Sequence, residues 1–313
     1  ARSSSSSRSS LVVVHNTTQC RHKFEMTGDT TLQNTTTKNT KPIETIAVLV
    51  AMEAEAAPLV SLLGLKPCPK SHRHAPLPSV VRSGAMTTIP SSSSSSSREN
   101  DDDDDDDDDD DGGKKRCEVV VATCGADSTH GVDSVGTVNA ALCAYEILKT
   151  HEPDVLINAG TAGGFREKGA RIGDVFLVDE VKYHDRRIPI PTFTKYGVGA
   201  IRTAETPNMR KTLKDLKCGV CSTGNSLDAT EVDREMMSRN DASVKEMEAA
   251  AVAKVCEMFD VPFVCVKAIT DIVDGPHAAE KEFLENLAMA GKRLQETVPK
   301  VLEFMRGKTV ADL

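Results

Sequence analysis

Residues 118–164 read EVVVAT, CGADSTHGVDSVG, TVNAALCAYEILKT, HEPD, VLINAGTAGG. Glu118 to Thr123 is a short β-branched run that forms a buried strand, and Val155 to Asn158 is another. Between them, Asp133 to Thr150 carries apolar residues at helical spacing. The alternation continues outward. Upstream, Ile46 to Val50 reads as a strand and Glu53 to Leu63 as a helix. Downstream come a strand over Asp174 to Val181, a polar helix after Pro207 and an amphipathic helix over Glu248 to Phe259. A strand over Phe263 to Ile269 and a long helix over Ala278 to Arg306 end the chain. Continuous apolar strands separated by helices predict an α/β sheet covered on both faces.

The 313 residues are 39% hydrophobic and 27% charged, enough for one large core or two small ones. Aromatic residues are 4% with no Trp, so small aliphatics fill the core, and the composition argues against an aromatic-rich stacking surface for single-stranded nucleic acid. The formal charge of −9 comes from Asp101 to Asp111: removing these eleven from 47 acids leaves 36 against 38 bases. No basic face follows a phosphate backbone, and no apolar run approaches the ~20 residues that span a bilayer. Nine cysteines in largely apolar surroundings fit a reducing compartment. Cys218 and Cys221 have CxxC spacing, but nothing in the sequence completes a metal site.

Two segments are of low complexity. Residues 1–40 are rich in Ser, Thr and Asn and read as a disordered extension. Their first 24 residues contain Arg and Lys but no acid, so a cytoplasmic location has a plastid alternative through this segment. The second, about 67–116, holds Ser91 to Ser97 and the Asp run and reads as a surface-loop insertion, within which 76–86 forms an irregular strand. The Asp run is a solvated spacer, since adjacent acids repel and offer no turn for a cation cage.

Ligands of such sheets gather at strand ends. One end gives Ala51-Met52-Glu53-Ala54-Glu55, with two carboxylates in the first turn of a helix. A second gives Asn158-Ala-Gly160-Thr161-Ala-Gly163-Gly164, a glycine-rich turn where backbone can approach a ligand closely. A third gives Lys245-Glu246-Met247-Glu248, with Glu248 opening a helix. The fourth is Lys267-Ala-Ile-Thr270-Asp271, with Asp271 just past an apolar strand.

Together these ends resemble the nucleoside phosphorylase and nucleosidase superfamily, specifically the plant-type 5′-methylthioadenosine nucleosidases. The resemblance covers residues 43 to about 64 and 131 to 313. It is carried by Ile-Asn-Ala-Gly-Thr (157–161), Gly173-Asp-Val-Phe-Leu-Val178, His184-Asp-Arg-Arg-Ile-Pro-Ile-Pro191 and Met247-Glu-Ala-Ala-Ala-Val-Ala253. It implies a three-layer α/β/α sandwich with a central twisted mixed sheet, as one domain over 41–313 interrupted by the insertion. It also implies hydrolysis of the N-glycosidic bond of 5′-methylthioadenosine to adenine and 5-methylthioribose, in methionine salvage, without cofactor or metal. Asp271 then matches the acid that protonates adenine N7, and Glu55 the general base for water. Glu248 matches the acceptor of the ribose hydroxyls and Met247 the residue packed on the sugar. Thr161 and Lys267 match positions that help hold the water, and Gly163 lies in the glycine turn beside the substrate. Leu227 and Asp228 fall where adenine is received. The partners implied are a small nucleoside and a second copy of the chain, with His184 to Tyr196 at or near the dimer contact. Asn225 stands where the family usually has Asp, and His130, in a linker that departs from the plant pattern, reads as a surface loop residue.

Two alternatives remain at this point. A purine nucleoside phosphorylase would share the fold but bring a phosphate dianion against Glu55, where the strand end offers no Arg. A noncatalytic storage relative would have no need of Glu55, Glu248 and Asp271 together. Acceptance of S-adenosylhomocysteine is left open.

Overall fold

A computed structural model describes residues 40–68, 77–86 and 116–313. The residues 1–39 and most of the expected insertion, including Ser91 to Ser97 and the Asp run, lie outside them. The chain begins with β1 (Thr45–Val50), α1 (Glu53–Leu62), β2 (Lys66–Pro67), β3 (Val80–Met86) and β4 (Cys117–Thr123). It continues through α2 (Thr137–His151), β5 (Val155–Gly164), β6 (Val175–Tyr183), α3 (Thr194–Val198), β7 (Ile201–Arg202) and α4 (Pro207–Thr212). It ends with β8 (Lys217–Thr223), α5 (Glu231–Arg239), β9 (Ala242–Glu246), α6 (Ala249–Phe259), β10 (Phe263–Ile272) and α7 (Ala279–Met305).

The ten strands form one mixed sheet in the order β10-β6-β8-β9-β5-β1-β4-β3-β2, with β7 added to β6. β10 also pairs with β5 in parallel, so five of the strands close on themselves. Helices cover both faces. Ala140, Cys143, Ala144 and Ile147 of α2 pack with Ala250, Val252, Ala253 and Cys256 of α6 on one side. On the other, Ala56 and Leu59 of α1 meet Leu294, Val298, Val301 and Leu302 of α7. The small side chains let helices and sheet approach closely, which is how a chain with so few aromatics fills its core.

Three local expectations change. The glycine-rich segment 158–164 is not a turn: β5 runs through to Gly164. Its glycines serve close approach, since a Cβ at Gly164 would lie 2.6 Å from the Ala170 Cβ. β10 likewise extends past Ile269, and a register shift between Ile269 and Asp271 marks a bulge of the kind that re-aims a side chain. Within the expected insertion, β3 is a regular strand paired along all of β4, from Val80 opposite Thr123 to Met86 opposite Cys117. Alternation is poor in its sequence, Val-Val-Arg-Ser-Gly-Ala-Met, so pairing rather than pattern makes it a strand.

Candidate active site

Strand ends from β1, β5, β9 and β10 converge on a cavity of about 530 Å³. Glu55, Thr161, Gly163, Leu227, Asp228, Met247, Glu248, Lys267 and Asp271 all line it, although the sequence scatters them over more than 200 positions. Lys245, Glu246 and Thr270, which sequence reasoning gave no role, line it too.

Glu55 sits at the third position of α1, where a carboxylate reaches back to the helix start: its Oε2 accepts from the Met52 amide at 3.2 Å. Its Oε1 accepts from the Thr161 amide at 2.7 Å and the Thr161 hydroxyl at 2.6 Å. Burial pushes the Glu55 carboxyl above the ordinary range, while the Thr161 bonds and the Lys267 charge pull it back. The result is a carboxylate held in place and more basic than one in water.

Asp271 is buried beside β5. Its Oδ1 accepts from the Thr270 hydroxyl at 2.8 Å. Its Oδ2 overhangs Gly163, where a Cβ would come within 2.6 Å of that oxygen and 2.7 Å of Val273 Cγ2. Gly163 therefore keeps open the space the carboxyl occupies. Burial raises the Asp271 carboxyl, opposed by the Thr270 bond and the Lys245 charge.

Glu248 opens α6, and its Oε1 accepts from the Gly136 amide at 2.8 Å. Gly136 has φ +96°, a conformation that suits glycine and turns its N–H toward the carboxylate. Burial, then the neighbouring Glu246 charge, push the Glu248 carboxyl up to about 7. Glu246 in turn accepts from the amides of Glu248 at 3.0 Å and Ala249 at 2.8 Å, and from the Thr223 hydroxyl. It pairs with Lys267 at 2.9 Å, both side chains being 2% exposed. Burial alone would lower the Lys267 ammonium, but Glu246, Cys265 and Glu248 hold it up. Thr161 and Lys267, expected to hold water, are thus each bonded to a carboxylate. A signal for Glu246 did exist in the sequence: a lysine inside an apolar strand needs a buried anionic partner.

Leu227 and Asp228, expected to receive adenine, lie on an exposed loop that lines the cavity. Lys245 Nζ donates to the carbonyls of Ser226 and Leu227, both at 2.7 Å. Asn225 joins the start of α2 to the segment after β6. Its Oδ1 accepts from the Thr137 amide at 3.0 Å and hydroxyl at 2.8 Å, while its Nδ2 donates to Asp185 Oδ2 at 3.2 Å. His130 is exposed and bonds Asp127 at 2.8 Å, away from the cavity. Cys218 is exposed and Cys221 buried, so the CxxC thiols do not face a common site.

A carboxyl raised by burial, a second held by three hydrogen bonds and more basic than in water, and a third at the start of α6 share one cavity, an arrangement suited to acid–base cleavage of a small polar molecule. Residues 112–303 match the family model described as Phosphorylase superfamily. Over 273 residues the chain is 41% identical to the 5′-methylthioadenosine nucleosidase of Arabidopsis thaliana, covering 87% of this chain and 91% of that one. It is 43% identical to that organism's 5′-methylthioadenosine/S-adenosylhomocysteine nucleosidase, over 87% and 96% of the two chains. The solved apo structure of Arabidopsis thaliana 5′-methylthioadenosine nucleosidase superposes with a TM-score of 0.76 at 41% identity, covering 87% of this chain and all of that one. The chain belongs to the phosphorylase superfamily and, within it, to the 5′-methylthioadenosine nucleosidases.

Proposed function

We propose that the chain hydrolyses the N-glycosidic bond of 5′-methylthioadenosine, releasing adenine and 5-methylthioribose. The observation that carries the reading is the pairing in one cavity of Asp271, biased toward its protonated form, with Glu55, a carboxylate braced by three hydrogen bonds. Breaking the bond from ribose C1′ to adenine N9 sends electrons into the base and leaves a cationic sugar. Asp271 gives its proton to N7, so the base departs neutral. Glu55 takes a proton from water as the water oxygen bonds to C1′. Acid and base across an oxocarbenium-like centre use the logic of inverting glycosidases. Glu248 accepts from the ribose hydroxyls, and Met247 packs on the sugar. Phosphorolysis is disfavoured because the dianion would meet the Glu55 carboxylate, while of the cavity's cations Lys267 is paired with Glu246, Lys245 is bonded to two carbonyls and Arg234 to the Ala229 carbonyl. Adenine release with and without phosphate, followed by product analysis, tests the reading. Free 5-methylthioribose is expected, and a sugar 1-phosphate refutes hydrolysis. Glu55→Gln blocks turnover without restoring it when phosphate is added.

The chain acts as a homodimer in this reading. Val135, Val138, Leu142 and Tyr145 form an exposed apolar stripe at helical spacing on and before α2, and Ile190, Phe193 and Tyr196 are exposed nearby in sequence to Asp185. Asn225 bonds both Thr137 and Asp185, which joins the two surfaces, and Val135 also lines the cavity. A second copy seated there covers the apolar area and closes the cavity's open side. Light scattering of the wild type and of Leu142→Asp measures this, and a fully active wild-type monomer refutes it.

A further inference from the structure

One rung of the closed sheet carries three residues of different character. Gly163 on β5 stands opposite Lys245 on β9 and opposite Asp271 on β10. Lys245 and Asp271 therefore flank a residue that has no side chain, and both line the cavity. The Asp271 Oδ2 leans over Gly163, toward the strand that holds Lys245. Lys245 is 5% exposed, and its ammonium directs its hydrogen bonds to the carbonyls of Ser226 and Leu227 rather than to the acid.

We propose that Lys245 is a positioning residue of the reaction: across Gly163 its charge strengthens Asp271 as an acid, while its two hydrogen bonds fix the loop that receives the base. The proposal rests on Asp271 being the acid. When the Asp271 proton moves to N7, the carboxylate left behind forms in a buried site, where an unpaired charge is costly. The ammonium two strands away offsets that charge without bonding to it, so the carboxyl stays free for the base. A direct ion pair would instead hold Asp271 ionised before substrate arrives. The surroundings fit a balance of this kind. Asp271 faces Lys245 from β9 and Glu282 from α7, which act on it in opposite directions. Lys245 is lowered by burial and supported by Asp271, Asp228, Glu246 and Asp233. His184 also feels the Lys245 charge.

Two substitutions separate charge from tethering. Lys245→Gln retains amide donors for the two carbonyls but removes the charge. Lys245→Arg keeps the charge. Without the charge the Asp271 carboxyl rises further, so it stays protonated to higher pH and becomes a weaker acid. For Lys245→Gln the expected result is an alkaline limb of kcat/KM displaced to higher pH and kcat lowered about tenfold, within the scale of general acid catalysis. For Lys245→Arg the limb stays at its wild-type position. An alkaline limb unmoved in Lys245→Gln, in a variant that melts like the wild type, overturns the proposal. If Lys245→Gln does not fold, a limb displaced in Lys245→Arg overturns it equally. Asp271→Asn is assayed beside them. If it is inactive while the Lys245→Gln limb is unmoved, only the role of Lys245 fails. If it is active, the acid assignment fails and the proposal with it.

Discussion

Asp271 and Glu248 are both carboxyls raised by burial, yet the proposed reaction asks opposite things of them. Asp271 must be protonated to act, so an isosteric amide leaves its hydrogen bond to N7 but no proton to give. Asp271→Asn is expected to lose at least about 100-fold in kcat with ligand affinity largely retained, the usual scale for removing a general acid. Single-turnover assays with a binding titration read this, and turnover within a few-fold of wild type refutes it. Glu248, as the proposed acceptor of the ribose hydroxyls, must be ionised. Its carboxyl lies at about 7, so it takes up a proton as pH falls through neutrality and loses acceptor capacity. KM is expected to rise below about pH 7 in the wild type. In Glu248→Gln, KM is higher throughout and that limb is gone. A limb that persists in the variant assigns the titration to another group.

Elements bring these side chains together, and they differ in how far the sequence announces them. The apolar strands β1, β4, β5, β6 and β10 and the helices α1, α2, α6 and α7 follow from runs and periodicity, because each buries a face against the sheet. β8 was hidden, since Lys-Cys-Gly-Val-Cys-Ser-Thr is small and mixed, and its pairing to β6 and β9 makes the strand. α5 is polar, with Thr230 and Asp233 forming a capping box that only the start of the helix reveals. At the site, the four strand ends supplied the carboxylates, whereas Glu246 and Lys245 escaped because their roles depend on partners distant in sequence. Asn225 shows how such a partner works. Its amide accepts at the start of α2 and donates to Asp185, which an aspartate cannot do. Asn225→Asp places a carboxylate against Asp185 while favouring the helix dipole, and the lost donor with like-charge contact outweighs the dipole at this exposed place. A loss of about 1 kcal/mol is expected, read by denaturant unfolding. A more stable variant refutes this account of the departure from the family's aspartate.

The closed part of the sheet lines the cavity together with the end of β1, and the open part, β1-β4-β3-β2, carries the chain's most unusual sequence between β3 and β4. Met86 ends β3 directly opposite Cys117, which begins β4, so the two ends that the intervening residues join are already neighbours. Antiparallel neighbours need only 2–5 residues between them. Deleting residues 91–111 leaves 87–90 and 112–116 to make the link, which is more than enough. Loop closure then changes by well under ~2 kcal/mol, because its entropy depends only logarithmically on length. The described residues that line the cavity lie outside this segment. The deletion is therefore expected to keep kcat/KM within about twofold and Tm within about 3 °C of the full chain, on the scale of ~2–4 °C per kcal/mol for a domain of this size. Its one predicted effect is electrostatic. Losing eleven aspartates, with Arg98 and Glu99 cancelling, moves the formal charge from −9 to +2, close to neutrality, where proteins associate more readily. Solubility at pH 7 should fall and recover at lower pH, as the net charge grows more positive. Differential scanning calorimetry beside a solubility series separates the two. A Tm lower by about 10 °C in soluble protein would show that the segment contributes to the fold, contrary to this reading.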